Sequence, residues 1–216
     1  EDIDKIITPR TKAIIVNSPN NPAGVHYPEK WMRAFADLMK QHPHIWILSD
    51  EVYSDLTYFD PAPTYFYQHS PELISRTMVF GAISKSLAAT GLRLGWTIAP
   101  QSATVAMGRI QGQATSGASA LIQRALLDFD LQHLARFLEP VKVHLRRSAN
   151  QVREKLKESD LGQLWYQSHS AFYFMLDFSR TPMFARFAGE HPEKDYSKEI
   201  CQELLEVHGV ALVPGA

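Results

Sequence analysis

The sequence predicts an α/β protein with a largely parallel β-sheet, then a long connecting helix and a small α+β segment. Two patterns predict this fold class. In the first half, short apolar runs alternate with helices or long crossovers, and in the second half a long helical pattern contains no glycine. Strands joined by such crossovers are typical of parallel sheets.

Four short apolar runs are the predicted strands. They cover residues 12–16, 44–48, 76–83 and 94–99. The first run is rich in β-branched residues, as expected for a buried strand. After it, Pro28 stands at a helix start, and apolar side chains recur at helical spacing at Trp31, Phe35, Leu38 and Met39.

The second half begins with a helical pattern over residues 119–159. No glycine lies between Gly117 and Gly162, and we expect this stretch to connect two lobes. Beyond it we expect a strand over 171–178, a helix over 194–208 and a strand over 210–213.

The composition is that of an ordinary globular protein. The 216 residues include 22 Lys and Arg against 23 Asp and Glu, a formal net charge of −1, and 45% are apolar. The charge gives no electrostatic reason to expect nucleic acid or an anionic membrane as a partner. Cys201 is the only cysteine, and there is no Asn-x-Ser/Thr site, so we expect a reducing, cytoplasmic setting.

The ends of the chain suggest a piece of a longer protein. The first residue is not Met, and residues 210–216 have the pattern of a strand that enters a turn. We therefore interpret the chain as a fragment.

Polar clusters follow three of the predicted strands. They are Asn17–Gly24, Asp50–Tyr53 and Ser84–Lys85. Because ligands of open α/β sheets bind at the carboxyl ends of the strands, we expect a functional site where these clusters meet.

Lys85 and Arg93 are the candidate basic groups of this site. Lys85 follows an apolar strand, and a partly desolvated lysine can form a Schiff base with a carbonyl. The alternative is a surface lysine in a turn. Arg93 lies between Gly91 and Gly95 and suits a bidentate anion such as phosphate. The alternative is an arginine that caps a helix or pairs with an acid.

Asp50 is the candidate acidic group, because it ends a strand whose body is apolar and buried carboxylates need a partner. That partner is a metal, an arginine or a protonated ring nitrogen. Glu51 suggests a metal pair, but adjacent strand residues point to opposite faces. Tyr53 either joins the same pocket or is a core aromatic. His42 and His44 have no third ligand nearby, so no metal site is predicted.

Four motifs in order resemble those of class I/II pyridoxal-phosphate-dependent aminotransferases of the aspartate aminotransferase type (fold type I). They are Ser-Pro-Asn-Asn-Pro-Ala-Gly at 18–24, Ser-Asp-Glu-Val-Tyr at 49–53, Ser-Lys at 84–85 with Gly-Leu-Arg-Leu-Gly at 91–95, and Ser-Ala-Phe-Tyr-Phe at 170–174. The resemblance implies that residues 1–118 are part of the cofactor-binding large domain, 119–160 the connecting helices and 161–216 part of the small domain.

The resemblance also implies an enzyme that uses pyridoxal 5′-phosphate to move an amino group between an amino acid and a 2-oxo acid. Lys85 would hold the cofactor as an internal aldimine and move the proton at the substrate α-carbon. Asp50 would keep the pyridine nitrogen protonated, so that the ring accepts electrons.

The remaining roles are carried over in the same way. Tyr53 and Asn21 would hydrogen-bond the O3′ oxygen of the ring, while Arg93 and Ser84 would hold the phosphate. The same likeness predicts a cis peptide at Asn21–Pro22 and a homodimer, in which residues 115–119 reach the neighbour's phosphate site.

The chain departs from the family pattern at Ala82, where the family usually has Ser or Gly, so one phosphate contact is missing. The glycine-rich phosphate loop and the ring-stacking aromatic would precede residue 1, and the arginine for the substrate carboxylate would follow residue 216. Two other functions stay open: another reaction with the same cofactor (β-lyase, decarboxylase or synthase), or the aminotransferase-like sensor domain of a transcription regulator.

Overall fold

The computed structural model describes residues 3–59, 62–159, 167–189 and 191–215. The strands are β1 Ala13–Asn17, β2 Trp46–Asp50, β3 Thr77–Ala82 and β4 Gly95–Ile98. The α-helices are α1 Ile3–Ile6, α2 Glu29–Gln41, α3 Phe66–His69, α4 Ile83–Ser86, α5 Gln101–Ala114, α6 Ala120–Asp128, α7 Leu134–Lys157, α8 Pro182–Ala188 and α9 Ser197–His208. Short 3-10 turns cover Ser54–Leu56, Pro71–Arg76, Thr90–Leu92 and Leu131–His133.

The strands form one sheet in the order β1-β2-β3-β4. The first three strands are parallel, and β4 runs antiparallel to β3. Each strand lies within two residues of the run that predicted it, so the predicted, largely parallel sheet is confirmed. The reversal at β4 follows from its short connection, because only α4 and the turn at Thr90–Leu92 separate it from β3.

The main core lies between the sheet and α2. This helix begins after Pro28, as predicted, and buries the residues Met32, Phe35, Ala36 and Met39 at positions i, i+3, i+4 and i+7. They pack with Val16, Ile45 and Ile47 of the sheet region and with Phe66 and Leu73. The packing fixes β1 and β2 side by side, so that their carboxyl ends emerge together.

Three predicted elements differ from the structure. The long helix over 119–159 is two helices, α6 and α7, separated at residues 129–133. The physical reason is Asp130, whose carboxylate accepts a hydrogen bond from the Gln132 backbone at 2.9 Å and so starts a new turn. The strands predicted over 171–178 and 210–213 are wrong: within the described residues neither stretch forms a strand. Leu176 forms only an isolated bridge, and Ser170 forms one antiparallel bridge to Thr57.

The chain divides into two compact units. The first comprises Glu1–Ala149 with Tyr166–Phe174, and the second comprises Asn150–Trp165 with Met175–Ala216. Within the second unit, Arg186 pairs with Glu203. The division into 1–118, 119–160 and 161–216 stays a prediction, and residues 160–166 lie outside the described part of the chain.

No described helix is both long enough and apolar enough to cross a membrane.

Candidate functional site

The carboxyl ends of three parallel strands bring the predicted polar clusters to one edge of the sheet. Asn17, the last residue of β1, is in register with Asp50, the last residue of β2. Asp50 is in turn in register with Phe80 of β3, and α4 with Lys85 follows directly. The side chains of these three strand ends are therefore neighbours, as the sequence predicted.

Asp50 is held by the strand beside it. The Asn17 amide nitrogen Nδ2 donates to the Asp50 oxygen Oδ2 at 2.6 Å, and the Val52 backbone N–H donates to Oδ1 at 3.3 Å. Both donors are neutral groups, so neither of them is a counterion for this carboxylate, and a cationic partner can still pair with it. Sequence analysis did not single out Asn17. The signal was its place at the end of β1, which registers with Asp50.

Tyr53 lies at the centre of the site and is only 5% exposed. Its hydroxyl lies 2.6 Å from the hydroxyl of Tyr173. Burial is the largest cause that raises the pKa of Tyr53, followed by the hydrogen bond and the charge of Tyr173, and then by the charge of Asp50. A hydrogen bond from Asn21 lowers the same pKa. The Tyr53 hydroxyl thus stays protonated at neutral pH, with Asn21 and Asp50 close by.

Lys85 reaches Tyr53 from α4, which directly follows β3 on the other side of β2. Its amine nitrogen Nζ lies 5.7 Å from the centroid of the Tyr53 ring and 5.9 Å from that of Phe172, while the residue is half-buried. Both distances are in the range of cation–π contact. The structure therefore brings three predicted site residues, Asn21, Asp50 and Lys85, to the phenol of a fourth, Tyr53.

The turn that carries Asn21 is closed by its own backbone. The Gly24 N–H donates to the Asn20 carbonyl at 3.0 Å, and the Asn20 N–H donates to the Val25 carbonyl at 2.9 Å. The Asn21–Pro22 peptide is cis, so that prediction is confirmed, and Ser18–Pro19 is cis as well.

Residues 168–171 are fastened to this turn through Gly24. The Gly24 carbonyl accepts hydrogen bonds from the His169 and Ser170 backbone N–H groups at 2.8 and 3.0 Å, and from the Ser168 and Ser170 hydroxyls at 3.3 and 3.1 Å. Gly24 has φ +64°, and a side-chain Cβ there would collide with Ser168 and lie 2.8 Å from the Ser170 carbonyl oxygen. Glycine is thus required where the two segments meet.

Tyr173 is the second residue that sequence analysis missed. It was part of the matched motif at 170–174, but no role was assigned to it. Its contact with Tyr53 joins positions 120 residues apart, and sequence spacing alone gives no signal for such a contact. We refer to Asn17, Asn21, Asp50, Tyr53, Lys85 and Tyr173 as the Tyr53 cluster.

Arg93 lies in an exposed turn and not among the residues of the Tyr53 cluster. It lies in the left-handed region with φ +53°, directly after the turn at Thr90–Leu92, and its side chain is exposed. The guanidinium donates to the Thr90 carbonyl at 2.9 Å, within the same turn. Ser84 is half-buried beside Lys85. We refer to Thr90–Leu92 with Arg93 as the Arg93 turn.

Glu51 belongs to different surroundings from its neighbour Asp50. Its carboxylate accepts hydrogen bonds from Ser49 at 2.7 Å and from Tyr67 at 2.9 Å. Burial raises the pKa of Glu51, against the lowering effect of these two donors. A cavity of about 290 Å³ lies on this side, bounded by Glu51, Tyr67, Phe80 and Trp96 among others.

The chain belongs to the class I and II aminotransferases. The model of that family, described as aminotransferase class I and II, matches residues 1–216. The resemblance carried by the four motifs is thereby confirmed, and with it the fold class.

Individual relatives agree with the family. The chain is 33% identical over 215 residues to a probable aspartate/prephenate aminotransferase of Rhizobium leguminosarum bv. phaseoli. This match covers 100% of the chain and 53% of that protein. The chain is 34% identical over 216 residues to the aspartate/prephenate aminotransferase of Cereibacter sphaeroides, with 100% and 53% covered. The aspartate aminotransferase structure from Rhizobium meliloti matches with a TM-score of 0.84 at 30% identity, over 98% of this chain and 52% of that one. The chain thus spans about half the length of the curated relatives it matches.

Proposed function

We propose that the protein containing this chain is a pyridoxal-5′-phosphate-dependent aminotransferase, which moves an amino group between an amino acid and a 2-oxo acid. One observation carries the proposal. The amine of Lys85 lies 5.7 Å from the centroid of the buried Tyr53 ring, and besides burial the charge of Asp50 raises the pKa of the same phenol, so a nucleophile and an anion act on one buried group. Family membership supports the same chemistry.

The residues present fit this cofactor. A pyridine nitrogen needs an anion, an aldehyde needs an amine, and a ring oxygen needs donors, and Asp50, Lys85 and Tyr53 supply these groups. Asn17 adds support, because its amide donates to Asp50 while its oxygen Oδ1 is buried with no hydrogen-bond partner among the described residues. An unpaired buried oxygen of this kind favours a further donor at this place.

When bound, pyridoxal phosphate supplies an aldehyde that condenses with amines and a conjugated ring that accepts electrons from the substrate α-carbon. Lys85 would hold the cofactor through its amine and would serve as general base and general acid for the proton at the substrate α-carbon. Asp50 would keep a proton on the ring nitrogen, and Asn17 would orient that carboxylate. The Tyr53 hydroxyl and the Asn21 amide would be the donors for the ring oxygen.

Arg93 and Ser84 hold the phosphate in this proposal. An exposed guanidinium with one hydrogen bond inside its own turn has donors left for an anion. Ala82 provides no side-chain donor here. The same proposal includes three further points. The domain roles are those given above for residues 1–118, 119–160 and 161–216. The complete protein is a homodimer in which residues 115–119 reach the neighbouring phosphate site, and its location is cytoplasmic.

An absorbance experiment tests the function. The protein is expressed from the complete gene, loaded with pyridoxal phosphate and mixed with single amino acids. Aspartate is the first candidate, with prephenate as acceptor, because the relatives named above are aspartate/prephenate aminotransferases. We expect aspartate to change the spectrum of the bound cofactor and the acceptor to restore it. A protein that binds no cofactor, or whose spectrum no amino acid changes, would contradict the proposal.

A further inference from the structure

Phe172 is a large apolar side chain that the proposed reaction does not yet use. Half of its surface is exposed, although the residue before it, Ala171, is fully buried. Single exposed apolar residues are common on protein surfaces and need no explanation by themselves. Phe172 differs from such residues in its place, because its ring lies at the candidate site.

The position of the Phe172 ring is set by a fixed backbone and by other aromatic rings. The Ala171 N–H donates to the Leu56 carbonyl at 3.0 Å, and Ala171 turns the chain through a left-handed conformation with φ +57°. The Phe172 ring then contacts the rings of Tyr53 and Tyr173, with its centroid 6.3 and 4.6 Å from theirs. Aromatic rings at such distances attract one another, so the fold holds this side chain where it is.

The amine of Lys85 lies against two of these rings. Its nitrogen Nζ is 5.7 Å from the Tyr53 centroid and 5.9 Å from the Phe172 centroid. Tyr53 is 5% exposed, whereas Phe172 is 50% exposed. Solvent, from which a substrate arrives, therefore reaches the ring of Phe172 and not that of Tyr53.

The proposed function brings the substrate to the same ring. Lys85 moves the proton at the substrate α-carbon, so that carbon must lie within about 3 Å of Nζ. A side chain attached to the α-carbon extends further and can reach a ring whose centroid is 5.9 Å from the same nitrogen. The face of a phenyl ring is apolar and carries partial negative charge, so it attracts apolar and aromatic groups and disfavours a carboxylate.

We propose that Phe172 is a specificity-determining residue, whose ring packs against the substrate side chain and favours a phenyl group over a second carboxylate at that place. The inference rests on the proposed function, because the proton transfer that Lys85 performs positions the substrate. It concerns which amino acids are accepted and not how the cofactor is held. Phe172 thus acts on the binding of one class of substrate.

The test compares two acids with the same carbon chain, 3-phenylpropionate and succinate, of which the first ends in a phenyl group and the second in a carboxylate. Neither has an amino group, so both bind without reacting. Their dissociation constants are measured by calorimetry on the cofactor-loaded protein, expressed from the complete gene. Phe172→Ala is expected to weaken the binding of 3-phenylpropionate by roughly 10-fold, the effect of one lost aromatic contact, and to leave that of succinate unchanged.

Two conservative variants and one control sharpen the test. Phe172→Tyr keeps the ring and should bind both acids like the unmodified protein, whereas Phe172→Leu keeps apolar volume without a ring and should fall in between. Phe137→Ala removes a phenyl ring of nearly the same exposure, 49%, from α7 and should change neither constant. In steady-state kinetics, Phe172→Ala should lower kcat/KM for phenylalanine by a similar factor and leave that for aspartate unchanged.

The outcomes separate the two proposals. An unmodified protein that binds no pyridoxal phosphate, or whose spectrum no amino acid changes, overturns the proposed function. In a loaded protein that reacts with amino acids, three results overturn the role of Phe172 alone: 3-phenylpropionate does not bind, Phe172→Ala leaves its affinity unchanged, or the binding of both acids is weakened alike. The last result, together with a lower midpoint of thermal unfolding, would assign Phe172 a merely structural role.

Discussion

The Tyr53 cluster and the Arg93 turn are two parts of one candidate site, and the chain builds them differently. Members of the Tyr53 cluster bind one another across three strand ends, as in the 2.6 Å contact of Asn17 with Asp50. The Arg93 turn is exposed, and its guanidinium bonds only within the turn in the described hydrogen bonds. In the proposed function the first part handles the reacting atoms and the second holds the phosphate. Variants in the two parts should therefore fail in different ways, in rate or in cofactor affinity.

The largest expected effect is that of Lys85→Ala. Removal of the amine abolishes both cofactor attachment and proton transfer, so turnover should fall by roughly 10⁴-fold or more. The characteristic absorbance of the loaded protein should disappear. Lys30→Ala, an exposed lysine on α2, is the control and should change neither. Turnover that survives in Lys85→Ala would remove the basis of the comparison.

Asp50→Asn comes next and is a test of rate against binding. We expect kcat to fall by about 10²- to 10³-fold while the cofactor stays bound, because stabilisation of the ring nitrogen charge grows in the transition state. Glu51→Gln makes the same chemical change at the adjacent residue, where Ser49 and Tyr67 surround the carboxylate. It should leave kcat unchanged. Weaker cofactor binding with an unaltered rate would contradict the role given to Asp50.

Arg93→Ala should show the opposite pattern. Loss of a charged hydrogen bond of roughly 1.5–3 kcal/mol predicts cofactor affinity lower by about 10- to 100-fold. At saturating cofactor, kcat should change little. Arg93→Lys keeps the charge without the paired donors and should fall in between. The measurement is cofactor titration followed by fluorescence or absorbance. Equal affinity in all three proteins would show that the Arg93 turn is no part of the site.

Asn17→Ala sharpens the assignment inside the Tyr53 cluster. It removes the donor to Asp50 and should lower kcat by about 10-fold, the effect of one charge-assisted hydrogen bond. The same substitution in Asp50→Asn should have a much smaller effect, because Asn17 acts through that carboxylate. Steady-state kinetics of the two single variants and the double variant provide the check. Additive losses would mean that Asn17 acts elsewhere.

The smallest effect concerns stability outside both regions. Burial raises the pKa of Glu51 in the folded state, so its contribution is present at low pH and is lost as pH rises through that pKa. The free energy of unfolding of Glu51→Gln, relative to that of the unmodified protein, should therefore increase from pH 4 to pH 8, by up to about 1 kcal/mol. A difference that is constant across this range would contradict a buried, ionising Glu51.

The sequence predicted those site residues that follow an apolar run. Asp50 and Lys85 come at or after strand ends, and the parallel order of β1, β2 and β3 places such residues at one edge. Asn17 also follows an apolar run, but its pairing with Asp50 depends on the strand register. The contact of Tyr173 with Tyr53 joins positions 120 residues apart and is not visible in local patterns.

Secondary structure shows the same limit. The amphipathic period of α2 and the four apolar runs were sufficient to predict that helix and the four strands, because the burial pattern of these elements is local in sequence. The break between α6 and α7 depends on one capping contact of Asp130. The stretches at 171–178 and 210–213 have strand-like composition, but a strand also needs a partner, which composition does not reveal.

Borohydride reduction of the cofactor-loaded protein, followed by peptide mass spectrometry, tests the central claim most directly. Reduction fixes the cofactor permanently to the amine that holds it, so the modified residue is read without reference to activity. We expect the added phosphopyridoxyl mass on the peptide that contains Lys85, and its absence there in Lys85→Ala. A modification on any other lysine in place of Lys85, or none in the loaded protein, would contradict the account.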